Sequence, residues 1–128
     1  PEDADAIEIG ITAEESLSEL RRMSNRRTID LKGKEVILWG TGDWYGRYVG
    51  QVLEHLSVVR VIDNNSSKWG QKTAEGLEII SSDYLQGKEN KVAVLAMLGC
   101  PKHLNEVYGQ LERMKINNFA AVEDWLSV

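Results

Sequence analysis

The chain has 128 residues, of which 42% are apolar and 27% charged, and its net charge is −5. This length gives room for one domain with a hydrophobic core, and the acidic balance argues against a nucleic-acid partner. No apolar run reaches the roughly 20 residues that span a bilayer, the N-terminus is acidic where a secretory signal is basic, and the single cysteine favours a reducing, cytoplasmic environment.

Two segments precede the main pattern. Residues 1–11 are acidic and aperiodic, as in a leader or linker, and the start at Pro1 instead of methionine leaves open that the chain is a piece of a longer protein. Thr12 followed by Glu15 forms a capping box, after which apolar residues recur at helical spacing. We therefore predict an amphipathic helix over 13–25 and assign residues 12–33 to an N-terminal helix and turn.

The stretch from Lys34 to Asp63 carries the strongest pattern in the chain. It predicts a strand, a glycine turn, a helix and a second strand ending on an acid, with the strands at 35–39 and 58–62 and the helix at 44–56. This order is that of the opening unit of a nucleotide-binding Rossmann fold. In that unit the turn presents backbone N–H groups, and the helix its positive end, to a ligand phosphate.

The remaining elements continue the alternation of strands and helices. After a polar loop we predict a strand at 77–80, one helical turn through 85, a strand at 91–97, a helix from 101 to about 115, a strand at 119–122 and a final turn at 123–126. Residues 34–128 are thus expected to form an α/β domain, a Rossmann-like three-layer sandwich with a mostly parallel sheet of four or five strands and the extra N-terminal helix outside it. The usual strand order of such a sheet is 3-2-1-4-5.

Three sequence blocks carry a likeness to a known group of domains: W-G-T-G, then V-I-D-N-N-S-S-K-W-G, then E-G-L-E-I-I-S. They resemble the Rossmann-like domains of bacterial surface-polysaccharide biosynthesis proteins, which stand at the front of nucleotide-sugar-modifying enzymes or are fused to glycosyltransferases and methyltransferases. The likeness covers about three quarters of the chain, from Lys34 to Val128. It implies a nucleotide, a nucleotide-sugar or NAD(P) as ligand class, and it does not imply that this piece is catalytic.

The glycine turn departs from the dinucleotide fingerprint in two places. Gly40 and Gly42 match its first two glycines, but Tyr45 stands where the third belongs. Asp43 is a good helix cap, and its carboxylate would then occupy the anion site and repel a pyrophosphate. Gly42, Gly46 and Gly50 share one helical face, and we expect that face to lie close against the sheet.

Other polar residues fall at the ends of predicted strands. Asp63 stands where an acid accepts from a ribose hydroxyl, although Asp63 and Asn64 could equally cap a turn. Trp69 could stack on a base or fold back onto the sheet edge. Across the cleft, the loop after the third long strand could supply a thiol and a phosphate-binding cation. The predicted binding residues are Gly40, Thr41, Gly42, Asp63, Asn64, Cys100 and Lys102.

Catalytic and metal chemistry find little support in the sequence. His103, near Cys100, has no acid or second histidine at a recognisable spacing, so neither a triad nor a metal set can be built. We expect a binding module, with NAD or a nucleotide-sugar as possible ligand and a covalent partner domain or a homo-oligomer as possible partner. The alternative is a degenerate Rossmann domain that has lost its ligand and works through protein contacts; a stand-alone oxidoreductase would need a substrate domain.

Overall fold

The computed structural model describes residues 27–127. The predicted leader at 1–11 and the predicted helix at 13–25 lie outside this range. The strands are β1 (Glu35–Trp39), β2 (Val58–Ile62), β3 (Glu78–Ile80), β4 (Val92–Ala96) and β5 (Phe119–Ala121). The α-helices are α1 (Asp43–His55), α2 (Pro101–Arg113) and α3 (Val122–Leu126), and two 3-10 helices span Ser66–Lys68 and Ser82–Leu85.

The five strands form one parallel sheet in the order β3-β2-β1-β4-β5. This confirms the α/β class and the strand order, and it settles the number of strands at five. β1 and β4 are central and pair over five positions, from Glu35 beside Val92 to Trp39 beside Ala96. Their apolar runs are buried, as a parallel sheet covered on both faces requires.

Helices cover both faces of the sheet and make it the middle of three layers. α1 and α3 pack on one face, where Val49, Val52 and Val122 are buried. α2 and the second 3-10 helix pack on the other, where Val107, Leu111 and Leu85 are buried. The two faces follow from right-handed crossovers that leave β1 and β4 in opposite directions along the sheet.

The predicted orientation of the glycine face of α1 is wrong. Gly42, Gly46 and Gly50 are exposed, and a Cβ added at any of them would meet nothing within 4 Å. Tyr45, Val49 and Val52 face the sheet instead. Their side chains bury apolar area that glycines cannot offer, so burial selects the opposite face of the helix.

The β5 edge of the sheet is covered by the segment that enters the domain. The Arg27 guanidinium donates to the carbonyls of Phe119 (2.8 Å) and Asn117 (2.9 Å), and it stacks 3.8 Å from the centre of the Phe119 ring. The Asn118 side chain also exchanges hydrogen bonds with the backbone of Asp30. This edge therefore has part of its hydrogen-bonding capacity satisfied by the chain itself.

Candidate functional site

Gly40 forms the turn that leaves the central strand β1. Its φ is +116°, and its N–H donates to the carbonyl of Ile62 over 2.8 Å. A Cβ at this position would lie 2.8 Å from the Met97 carbonyl oxygen and 2.9 Å from the Leu98 Cδ2. Glycine is thus required both by the backbone conformation and by the close approach of the β4 end.

The start of α1 faces the carboxyl edge of the sheet without a side-chain cap. Gly42 is the N-cap residue, and among the described residues no side chain accepts a hydrogen bond from the first turn of this helix. The prediction that Asp43 caps the helix is therefore wrong: Asp43 is the first helical residue and is exposed. An N-cap residue has non-helical backbone angles that let its side chain accept from the N–H groups two or three residues further on, and a residue inside the helix lacks that geometry. The first N–H groups of α1 carry the positive end of its dipole.

Thr41, Asp63 and Lys68 form a hydrogen-bonded network beside this helix start. The Thr41 hydroxyl donates to Asp63 Oδ2, and the Asn65 N–H donates to Asp63 Oδ1 over 2.8 Å. The Lys68 ammonium donates to Thr41 Oγ1 over 3.1 Å and lies 3.8 Å from Asp63 Oδ2. The ends of β1 and β2 thus share one polar site. In it, Asp63 acts as a turn cap while standing at the position where a dinucleotide fold places its ribose acid.

Lys68 is the member of this network that the sequence analysis missed. The predicted polar loop contains the 3-10 helix Ser66–Lys68, whose N-cap Asn65 accepts from the Ser67 N–H over 3.1 Å. This short helix turns the chain back, so that the ammonium reaches the glycine turn. The available signal was the Asn at the start of the S-S-K segment, which is a helix-capping residue. Asn64 is exposed beside it.

Trp69 follows Lys68 and lies at the end of β2. Its indole N–H donates to the carbonyl of Asp63 over 2.7 Å, so the side chain folds back onto the strand end. The residue nevertheless stays 43% exposed. The two predictions for Trp69, stacking on a base and folding back onto the sheet edge, therefore do not exclude each other. A tethered, exposed indole can still stack on a planar group.

Tyr45 holds the rest of this loop against α1. The residue is only 6% exposed, and its hydroxyl is hydrogen-bonded to the Thr73 hydroxyl (2.9 Å) and to the Glu75 carboxylate (2.8 Å). Tyr45, which stands where the fingerprint has its third glycine, thus packs between α1 and the sheet and anchors the loop that carries Lys68. Its ring does not stand in the glycine turn.

The buried tyrosines should make stability depend on pH above 10. Burial raises the pKa of Tyr45 to about 12, with a further contribution from Glu75, and burial likewise raises the pKa of Tyr108 to about 12. In the unfolded chain tyrosines ionise near pH 10, where the folded chain still holds both protons. This stabilisation is complete below pH 10 and is lost as the pH rises toward 12.

We therefore expect the free energy of unfolding, measured by urea denaturation, to fall between pH 10 and about 12. The Tyr45→Phe variant should show a shallower fall, because one of the tyrosines with a raised pKa is gone. A fall equally steep in the variant and in the wild-type chain would contradict this assignment.

Cys100, Lys102 and His103 stand apart from the network. Cys100 is the N-cap residue of α2, and all three are exposed. Within residues 27–127 none of their side chains is hydrogen-bonded to the Thr41–Asp63–Lys68 network. The structure therefore brings Thr41 and Asp63 together, whereas the predicted contribution from across the cleft stays a prediction.

The indole of Trp44 lies against the loop that leads to Cys100. A Cβ on Gly99, in the loop between β4 and α2, would lie 2.6 Å from the Trp44 ring. The same ring packs edge-to-face on Tyr48, with centroids 5.4 Å apart, and Arg47 stacks on it at 4.9 Å. The indole is thus held against the end of β4 on the side of α1.

Residues 27–127 contain neither a candidate metal site nor a candidate membrane-spanning helix. No group of three or more His, Cys, Asp or Glu side chains there could hold a metal ion. No helix in that part of the chain is long and apolar enough to cross a membrane.

The fold and this edge define a Rossmann-like α/β domain with a polar network at the ends of β1 and β2. The chain belongs to the C2185-like family. The family model described as "C2185-like, N-terminal" matches residues 32–120. The matched segment runs from just before β1 to β5 and includes the whole polar network. No curated protein and no solved structure gives a significant match to the chain.

Proposed function

We propose that this domain is a binding module for a nucleotide, a nucleotide-sugar or NAD(P), with the ligand at the carboxyl ends of β1 and β2. The observation that supports it best is the Lys68 ammonium, 3.1 Å from Thr41 Oγ1, beside the uncapped start of α1. A helix N-terminus and a lysine are the two elements with which many proteins bind phosphate groups.

The ribose and the base have suitable partners on either side of this anion site. Asp63 already accepts from Thr41 and Asn65, and a carboxylate has about four acceptor positions, so it retains capacity for a ribose hydroxyl. Its side chain is 16% exposed, which leaves it within reach of a ligand. The exposed indole of Trp69 offers a flat surface for a base.

The wider setting of the proposal rests on the sequence. The blocks around Gly40, Asp63 and Gly76 resemble domains of polysaccharide biosynthesis proteins, so we propose a glycan-assembly protein as the setting. We propose a cytoplasmic location because the one cysteine, Cys100, is exposed as a free thiol. In this proposal the domain binds its ligand, and the chemistry belongs to a separate module.

A ligand screen on two matched variants tests the proposal. We expect a thermal-shift panel of nucleotides, nucleotide-sugars and NAD(P) to give a hit, with about 2.7 kcal/mol of stabilisation at 100 times the dissociation constant. Lys68→Gln should weaken binding about tenfold or more, since a charge-assisted hydrogen bond is lost. Lys72→Gln, an exposed lysine in the same loop, should bind like the wild-type chain. Equal binding by both variants, or no ligand at millimolar concentration, would contradict the proposal.

A second candidate function has its own observation. The contacts of Gly40 with Met97 and of Trp44 with Gly99 bring the ends of β1 and β4 together, at the place where a dinucleotide fold keeps a crevice open. This favours a domain that has lost its ligand and acts through protein contacts. A dimer in sedimentation experiments, together with no stabilisation by any ligand of the panel, would support this alternative over the first.

A further inference from the structure

We infer that Trp44 fills the switch-point crevice and thereby limits the site to a mononucleotide. This inference rests on the proposed function. The switch-point crevice is defined here as the gap between the β1–α1 turn (40–42) and the β4–α2 loop (97–100). In sheets of this strand order it lies between β1 and β4, whose crossovers run in opposite directions. A dinucleotide spans this crevice, with one nucleotide on each side.

The crevice is closed at its base by the backbone. The Gly40 position lies so close to β4 that a Cβ would be 2.8 Å from the Met97 oxygen and 2.9 Å from the Leu98 side chain. The Met97 N–H also donates to the Trp39 carbonyl over 2.8 Å, which extends the pairing of β1 and β4 past the last strand residue. The two strand ends therefore do not diverge where a crevice would begin.

Above this base, the crevice is filled by the Trp44 side chain. The indole lies against the Gly99 backbone, with three ring atoms 2.6–2.8 Å from the position of a Cβ. Tyr48 and Arg47 pack on the ring as well, so it is held by its own helix and by the opposite loop. A planar group entering from the β1 side would meet the indole before it reached the β4–α2 loop.

The half of the edge next to β2 is built differently. Thr41, Asp63 and Lys68 lie there with exposed Trp69 beside them, and this group contains one cation, one acid and one aromatic surface. This set matches the terminal phosphate, ribose and base of one nucleotide. Within residues 27–127, the β2 side of Trp44 offers no second group of cation, acid and aromatic side chains for another nucleotide. A second nucleotide would therefore gain no contacts in the crevice.

Calorimetry with matched ligand pairs tests the inference. The wild-type chain is titrated with ADP, UDP and GDP. Each is compared with the dinucleoside diphosphate that carries its base twice, and ADP is also compared with NAD, which contains it. We expect at least one nucleoside diphosphate to bind, and its dinucleotide to bind no more than about threefold more tightly. A dinucleotide that binds more than about threefold more tightly than its diphosphate would overturn the inference while leaving the proposed function standing. No binding by any of these ligands would overturn the inference, and the proposed function would fall as well if the nucleotide-sugars of the thermal-shift panel also gave no hit.

A variant of Trp44 provides the second readout. Trp44→Ala should raise the affinity for the dinucleotide relative to that for the diphosphate, because the crevice is then open on the α1 side. Trp69→Ala is the matched control: it should weaken both ligands by the same factor, since it lies at the first nucleotide. An unchanged ratio in a folded Trp44→Ala variant would overturn the role of Trp44. If that variant does not fold, the wild-type ratio still decides the inference.

Discussion

Replacing Gly40 by alanine should lower the free energy of unfolding by about 3 kcal/mol or more. The φ of +116° is a conformation that L side chains rarely adopt, and the added Cβ would lie 2.8 Å from the Met97 carbonyl oxygen. That oxygen belongs to the backbone at the end of the central strand β4, so it cannot move without disturbing the pairing of β1 with β4. Both costs fall on the same residue, which makes this one of the largest single-residue effects expected in the chain.

Urea denaturation of Gly40→Ala should therefore show a lower midpoint with an unchanged m-value, the mark of a change in stability alone. Gly46→Ala is the matched control, because Gly46 is exposed on α1 and a Cβ there would meet nothing within 4 Å. It should stabilise the chain by about 1 kcal/mol through helix propensity. Destabilisation by Gly46→Ala would mean that the glycine face lies against the sheet, which the structure contradicts.

The strands were predictable because burial leaves a strong trace in the sequence, and their order was predictable because it is the usual one for such a sheet. β4 is apolar throughout and β1 is apolar after Glu35, as expected for central parallel strands. The face of α1 was not predictable from spacing alone. Gly42, Gly46 and Gly50 repeat every four residues, but Tyr45, Val49 and Val52 form a competing stripe on the same helix. Spacing shows which residues share a face, whereas apolar area decides which face is buried.

The site was predictable only where it follows directly from strand ends. Thr41 and Asp63 end up in contact because the carboxyl ends of neighbouring parallel strands meet at one edge. Lys68 and Tyr45 depend on the path of the loop between β2 and β3. That path is set by local caps such as Asn65 and by the distant hydrogen bond from Tyr45 to Glu75. Periodicity carries no information on contacts of this kind.

The contact between Trp44 and Gly99 should appear as a large coupling free energy. Gly99→Ala places a Cβ 2.6 Å from the indole, and we expect it to lower the free energy of unfolding by about 2 kcal/mol. In a Trp44→Ala background the ring is gone, so the same substitution should cost little. The double-mutant cycle should then yield a coupling of about 2 kcal/mol, measured by urea denaturation of the four chains.

Additive effects in this cycle would show that the ring does not press on the β4–α2 loop, and the crevice would then be open to a second nucleotide. Trp44→Phe refines the measurement, because the indole Nε1 is buried and has no hydrogen-bond partner among residues 27–127. A buried donor without a partner costs about 1–3 kcal/mol, so its removal should recover part of the packing lost with the smaller ring. A chain that keeps an unsatisfied indole at this position has an aromatic wall where related folds have an open cleft. Under the proposed function, the ligand has to fit on one side of that wall.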